Sequence, residues 1–432
     1  MKTAMRPALA IMLVYGTIAT SAASAACTAT YSTRNDWNTG FVADVVVTNT
    51  GSSTVSGWST SWDYGKPVAL TSSPWGATVS VNGGQVTSRD NGSHPTIAPG
   101  SSVSFGMALS YSGTKPSPGT ITVAGTNCTG TTTTTPTPTN PGPASINTNL
   151  YINPQSSAAV WARNNPGDSR AAAIRDRLAS QPTAGWFGNW NSDISRDVSN
   201  YVGAAAAAAR TPVLVAYNIP GRDCGQYSAG GAATLTAYQD WIRKFAAAIG
   251  QRDAIVVLEP DAIPQLDCLD ATGKANRYQL IRYAVSQFNS LAPRTWLYLD
   301  IGNSSWLAPS EAATRLVNAG VANAHGFSLN VSNYRTDAES NAYGVAVSNA
   351  LKQQQGWGKP FVVDTSRNGN GPNGTQWCDP AGRKIGVTPR FNAAGSQPEA
   401  TLWIKAPGEA DGCAAAAGSF VPDLAYKLIY GY

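Results

Sequence analysis

Two patterns of apolar and polar positions divide the chain. In "FVADVVVTNTGSSTVSGWSTSWDY" (41–64) and "GSSVSFGMALSY" (100–111), apolar and polar residues alternate between turns rich in Gly, Ser, Asn and Pro, with no helical period. Successive side chains of a strand point to opposite faces, so this alternation predicts half-buried antiparallel sheets, and residues 26–128 have the length of an all-β sandwich. From residue 146 onward the pattern changes. Short β-branched or apolar runs appear as "LYIN" (150–153), "VLVAYNIP" (213–220), "IVVLEP" (255–260), "TWLYLD" (295–300), "GFSLNV" (326–331), "PFVVD" (360–364) and "TLWIK" (401–405). Ala-rich segments of helical spacing, such as 233–249, 275–290 and 309–319, lie between many of them. Repeated strand and helix units predict an α/β domain over 146–432, a distorted, TIM-like parallel barrel that seven or eight strands would close. Between the two regions, "TGTTTTTPTPTNPGPAS" (129–145) offers no apolar face to a core. Its prolines and threonines predict an extended spacer of roughly 50 Å.

The first 25 residues carry Lys2 and Arg6, then the apolar "ALAIMLVYGTIA", then the small-residue run "SAASAA". That order is a secretory signal with cleavage near Ala25 or Ala26, so a secreted, extracellular protein is expected. The apolar stretch is too short to span a bilayer and no later one reaches eighteen residues, so no membrane role is expected. The formal charge is +5, and two of those charges, Lys2 and Arg6, sit in the leader, which leaves +3. Such a balance makes no case for nucleic acid or an anionic membrane and suits a neutral partner, with the chain acting as a monomer. Thirteen Trp and seventeen Tyr exceed what the cores need, so some of them face a ligand.

Export makes disulfides available, and six cysteines allow fifteen pairings. The spacer separates Cys27 and Cys128 from Cys224, Cys268, Cys378 and Cys413, so a Cys27 to Cys128 bond would close the small domain at its two ends. No CxxC pair occurs and there are two histidines, so neither a metal nor another cofactor is expected.

In a parallel barrel the loops at the carboxyl ends of the strands converge on one mouth. Asp223 follows "YNIP", Asp261 follows "LEP", Asp300 ends "WLYLD", Asp364 ends "FVVD" and Asp411 follows "LWIKAPGEA". Any one of them fits a helix cap or a turn; five together point to a carboxylate rim. Crowded carboxylates without histidines suit glycoside hydrolysis, which needs one protonated acid for the leaving oxygen and one ionised group to activate water or attack carbon. The acid must be raised by burial or by a like charge, which Asp223 beside Asp261 would supply. Trp186, Trp190, Trp306 and Trp377 lie in loops or at strand ends, where an indole fits either a sugar platform or the core. Trp37 and Trp75 sit in turn-like "NDWNTG" and "SPWGAT" and suit a flat polysaccharide surface, whereas Trp58 and Trp62 take alternating strand positions expected in the core.

Residues from about 147 to 432 resemble glycoside hydrolase family 6, the inverting cellulases. The resemblance is carried by "VLVAYNIPGRDCGQYSAGG", "IVVLEPDAI", "LYLDIGNSSWL", "FSLNVSNY", "NGTQWCDPAGR" and "LWIKAPGEADGC". Residues 27–128 resemble a family 2 cellulose-binding module through the terminal cysteines, "NTGFVADVVVTNTGSSTVSGW", "WGATVS" and "IAPGSSVSFG". The resemblance implies Asp261 as general acid, Asp223 as the carboxylate that raises it and takes part in a water relay, and Asp411 as the base. It also implies that Tyr217, Asp300, Asn303, Lys405 and Glu409 line the sugar site, a platform of Trp37 and Trp75, and disulfides Cys224 to Cys268 and Cys378 to Cys413; Trp186, Trp306 and Trp377, from their positions, and Asn330 complete the expected substrate-binding set. Where the family reads "DAGH" this chain reads "DIGN", so Asn303 replaces a histidine. The usual third aromatic of the module falls near Ser93 and His94. Cellulose or a related β-glucan is the expected partner. The length after the spacer leaves little surplus for loops that roof a tunnel, so an open cleft and endo cleavage are expected. The alternatives are an exo-acting cellobiohydrolase of the same family and a non-catalytic cellulose binder.

Overall fold

In the N-terminal region the alternation folds as it reads. The computed structural model describes residues 27–36, 39–113, 116–132, 145–225 and 229–432; the leader, residues 133–144 of the spacer and Trp37 lie outside the described residues. The chain divides into two units, Met1–Thr137 and Pro138–Tyr432.

In the first unit the strands are β1 (Cys27–Asp36), β2 (Gly40–Asn49), β3 (Val55–Asp63), β4 (Ala69–Leu70), β5 (Thr78–Asn82), β6 (Gln85–Arg89), β7 (Thr96–Ile97), β8 (Ser102–Ser110), β9 (Ile121–Thr126) and β10 (Cys128–Thr132). Two antiparallel sheets result, ordered β1-β2-β8-β4 and β10-β9-β3-β6-β5, with β7 on β3. Phe41, Ala43, Val45 and Val47 of β2 point inward, and Trp58 and Trp62 of β3 are core, as their positions predict. Trp58 stacks on Phe105 at 5.8 Å and its indole N–H donates to the His94 carbonyl, so its polar end is satisfied. The Cys27 to Cys128 disulfide joins the first and last strands. Strand β10 continues to Thr132, so the sandwich takes in the first residues of the segment expected as spacer.

The second unit continues with β11 (Gly185–Phe187), β12 (Val213–Ala216), β13 (Ala254–Leu258), β14 (Thr295–Asp300), β15 (Gly326–Leu329), β16 (Phe361–Asp364), β17 (Arg390–Phe391) and β18 (Ala400–Leu402). Its helices are α1 (Ser157–Asn164), α2 (Ala171–Ile174), α3 (Ile194–Ala207), α4 (Leu235–Ile249), α5 (Ala271–Leu291), α6 (Pro309–Asn318), α7 (Asp337–Gln355) and α8 (Pro422–Tyr430). The sheet runs β11-β12-β13-β14-β15-β16-β18-β17, parallel up to β18, with β17 antiparallel at the edge. Strand β13 shows why its run is apolar throughout. Ile255 and Val257 face the interior with Val215, Tyr298 and Val362, while Val256 and Leu258 face the helices with Ile242, Phe245 and Ile281. Helix α4 buries Tyr238, Trp241, Ile242, Phe245 and Ile249 at three- and four-residue spacing, starts on the Thr234 hydroxyl and stops at Gly250 in the left-handed region. Helix α7 starts with a Thr336 and Glu339 capping box.

Two expectations are corrected. "LYIN" is not a strand: only Leu150 bridges Thr211, because the Asn147 and Asn153 side chains accept the N–H groups of Asn149 and Gln155 and turn the chain at both ends. The barrel is also not closed by pairing. End strands β11 and β17, three and two residues long, do not pair with each other among the described residues, and so short an edge cannot carry a closing ladder. No helix among the described residues is long and apolar enough to cross a membrane.

Candidate active site

The parallel strands end together, and their loops leave in unusual backbone geometry. Non-glycine residues at positive φ gather here: Asp223 (54°) and Cys224 (49°) after β12, Glu259 (48°) and Asp261 (70°) after β13, Asn330 (64°) and Ser332 (58°) after β15, and Asp379 (46°). Such conformations cost on the order of 1 kcal/mol or more each and persist only where surrounding contacts fix them. Those contacts are present.

Asp261 stands just past β13, and its N–H donates to Asp300 Oδ2 (3.0 Å) at the end of β14. Its carboxyl is pushed well above the usual range, first by burial and then by the charges of Asp300 and Asp223. Asp300 is wholly buried, accepts from the Gly302 N–H (3.2 Å) and the Ser328 hydroxyl (3.2 Å), and is itself raised, chiefly by burial. Asp223, Asp261 and Asp300 therefore form one electrostatic group at the carboxyl ends of β12, β13 and β14.

Asp411 has the opposite environment. Its Oδ2 accepts from Arg367 Nη1 (2.7 Å), the Tyr334 hydroxyl (3.2 Å) and the Asp379 N–H (3.2 Å), while Lys405 Nζ lies 3.2 Å from Oδ1. Burial pulls this carboxyl up, but Arg367 and Lys405 outweigh it and hold Asp411 below the ordinary carboxylate value. Arg367 is buried, lies over the Tyr334 ring at 4.5 Å and donates to the Ser332 carbonyl. Asp379 accepts the N–H groups of Asp411 (2.8 Å), Cys413 (3.1 Å) and Ala414 (2.9 Å), which fixes the strained turn beside the Cys378 to Cys413 disulfide. Cys224 pairs with Cys268, so both disulfides follow the pairing the resemblance implies.

Aromatic side chains flank the carboxylates. The Arg222 guanidinium lies between the rings of Tyr217 (4.6 Å) and Trp190 (5.3 Å), and Trp186 meets Tyr217 edge-on at 5.3 Å while its indole N–H donates to the Ile404 carbonyl. Trp190, Trp306 and Trp377 are exposed, at 54%, 38% and 42%, and so are open to a ligand. Glu409 accepts from the Ser157 hydroxyl (2.8 Å) and is raised by burial, and Lys405 also donates to the Ala410 carbonyl (3.2 Å).

Three polar residues are in use within the fold. Asn330, expected to bind substrate, is wholly buried; its amide donates to the carbonyls of Asp364 (2.9 Å) and Arg335 (3.2 Å) and accepts the Arg335 N–H (3.0 Å), so both donors are used within the fold and burial closes the side chain to a sugar. Asp364, expected on the rim, is buried and accepts four N–H groups, from Ser332, Ser366, Ile404 and Lys405. It splices three loops together. Asn303 is buried, and its side-chain oxygen closes a turn onto the N–H and hydroxyl of Ser305. Glu259, Arg277, Tyr334, Arg367 and Asp379 were not among the residues picked from sequence. The one available signal was Glu259 itself, a charge directly after a strand buried on both faces.

The description "Glycosyl hydrolases family 6" matches residues 145–422. The chain belongs to that family. A second match, "Cellulose binding domain", covers residues 27–128 of this family 6 chain. The chain is 51% identical over 289 residues to "Endoglucanase 1" of Streptomyces halstedii, covering 66% of this chain and 89% of that protein. It is 39% identical over 437 residues to "Endoglucanase A" of Cellulomonas fimi, covering 95% and 94% of the two chains. Among solved structures it is similar to the endoglucanase Cel6 from Mycobacterium tuberculosis in complex with methyl-cellobiosyl-4-deoxy-4-thio-β-D-cellobioside. That similarity has a TM-score of 0.61 at 40% identity and covers 66% of this chain and 97% of the other.

Proposed function

We propose that this family 6 chain is a secreted endo-β-1,4-glucanase that hydrolyses internal bonds of cellulose with inversion at the anomeric carbon. The observation that carries the reading is the opposed tuning of Asp261 and Asp411: the hold of one carboxyl on its proton is raised by burial and by Asp300 and Asp223, while that of the other is lowered by the hydrogen-bonded Arg367 and by Lys405. Asp261 donates its proton to the glycosidic oxygen as the bond to carbon breaks. Water attacks from the opposite face, and its proton leaves toward Asp411 or through a relay by Asp223. Four donors already hold the Asp411 oxygens, which makes it a weak base and favours the relay. The exposed indoles Trp306 and Trp377 stack on the glucan, and Tyr217 with Trp186 borders the reacting sugar. The "Endoglucanase" names of the two curated relatives support internal cleavage over release from chain ends.

The test is product analysis. Viscosity of carboxymethylcellulose is expected to fall well before reducing ends accumulate, and proton NMR of freshly cut cellopentaose to show the α-anomer first. Initial β-anomer, or cellobiose released with viscosity intact, would remove the reading.

The sandwich supplies adhesion through Trp37 and Trp75. Trp75 lies on Gly106 of β8, where the two backbones exchange N–H groups at 3.0 and 2.9 Å. A Cβ at Gly106 would stand 2.2 Å from the indole. Gly106→Ala is therefore expected to displace the ring and weaken adsorption to crystalline cellulose about tenfold, the equivalent of ~1.4 kcal/mol, with turnover on soluble substrate unchanged. Unaltered adsorption isotherms would exclude Trp75 from the binding face.

A further inference from the structure

Two buried, opposite charges that the proposed chemistry does not use lie beneath the loops that carry it. Glu259, wholly buried, accepts the N–H groups of Asn218 (2.9 Å) and Ile219 (2.9 Å), the first residues of the loop leading to Asp223. Arg277, buried on α5, divides its guanidinium between two loops. Nη2 donates to the carbonyls of Pro220 (3.0 Å) and Gly221 (3.1 Å), two residues short of Asp223, and Nη1 donates to the carbonyl of Ala262 (3.1 Å), the residue after Asp261. We propose that Arg277 is a positioning residue of the reaction, a clamp whose planar fork sets the spacing between the Asp223 loop and the Asp261 loop. The proposal rests on the roles given above to those two aspartates.

Three considerations support it. The guanidinium forms no salt bridge at contact distance among the described residues; its hydrogen bonds go to backbone carbonyls of these loops, a use for which one rigid fork of donors is suited. Both loops are strained where they carry the acids, with Asp223 at φ 54° and Asp261 at 70°, and so need an external restraint. The Cys224 to Cys268 bond ties the same two loops farther along, beyond the aspartates, so Asp223 lies between the clamp's contacts at Pro220 and Gly221 and the disulfide, while Asp261 is held next to its own contact at Ala262. Charged or titratable groups facing Arg277 are Glu259, Tyr238 of α4 and Tyr217, while Asp261 faces Asp300 and Asp223.

The direction of a pH shift separates positioning from mere charge. Removing a nearby cation would by itself make Asp261 harder to ionise and move the basic limb of kcat/KM upward. Releasing the clamp lets Asp223 recede, lowers the Asp261 pKa and moves that limb down. With full-length protein and neutral cellopentaose, Arg277→Met is expected to lower the basic limb by about one pH unit and kcat by about tenfold, with KM within a factor of about two. Arg277→Lys keeps the charge but not the fork, and is expected to shift the limb in the same direction by less. A limb that stays in place or rises, in whichever of the two variants folds, overturns the proposal even if melting temperature falls. Asp261→Ala measured alongside keeps the two levels apart: if it retains turnover, the assignment of the acid falls, and the clamp's role with it.

Discussion

Asp261→Ala is expected to lower turnover on carboxymethylcellulose by roughly 10³-fold while leaving adsorption to cellulose unchanged. A sugar alkoxide is a poor leaving group, so the bond cannot break at a useful rate unless a proton arrives as it does so. Asp261 is the carboxyl whose surroundings favour holding that proton, through burial and the flanking carboxylates Asp300 and Asp223. The expected loss depends on the leaving group. An aryl cellobioside whose phenol is acidic needs little protonation, so the variant should keep most of its rate on dinitrophenyl cellobioside. Equal losses on both substrates would place Asp261 in binding or folding instead. In the wild type, the basic limb of the kcat/KM profile reports the free enzyme's acid and should lie well above the ordinary carboxylate value of 3.8.

Asp411→Ala is expected to damage both stability and activity. Its partner Arg367 and Asp411 itself are 2% and 7% exposed at the side chain, and Lys405 is 11% exposed. Removing the carboxylate leaves two cations without their shared anion, and breaking such a buried pair costs about 3–5 kcal/mol. Calorimetry at pH 7 should show a melting temperature lower by roughly ten degrees, and turnover should fall by about two orders of magnitude. The pH dependence has a definite sign. The folded pKa of Asp411 lies below the ordinary carboxylate value of 3.8, so its contribution is complete above that value and is lost as pH falls through the lower folded pKa. The difference in melting temperature between wild type and variant should therefore narrow in acid. A constant difference from pH 7 to pH 3 would show that the carboxylate charge is not what stabilises this network.

Much of this architecture can be read from sequence because burial leaves periodic traces. Strand β13 is apolar on both faces, so its five residues read as a core strand, and the acidic residues immediately after it mark the end of the strand, although Glu259 itself stays buried. The sandwich strands alternate because one face meets the core and the other meets water. The same logic explains what was not visible. Strands β11 and β17 are too short for a period to register. Arg277 and Arg367 are buried cations, and nothing in the residue type distinguishes a guanidinium that binds carbonyls inside the fold from one in solvent. Asn330 looked available for sugar because an amide after a strand can face either way; its hydrogen bonds to the backbone at Asp364 and Arg335 settle the direction. Asp364 shows the same ambiguity for a carboxylate: the end of a strand supplies either a rim for ligand or a node for loops, and the surrounding N–H groups decide which.

The Cα atoms of Cys27 and Cys128 lie 5.4 Å apart. The first strand of the sandwich is therefore latched to the start of its last, and β10 runs on only to Thr132, so entry and exit of the module lie within a few residues of one bond. Such a module can travel between genes as a cassette, set into a surface loop as readily as appended at a terminus, and still arrive already latched.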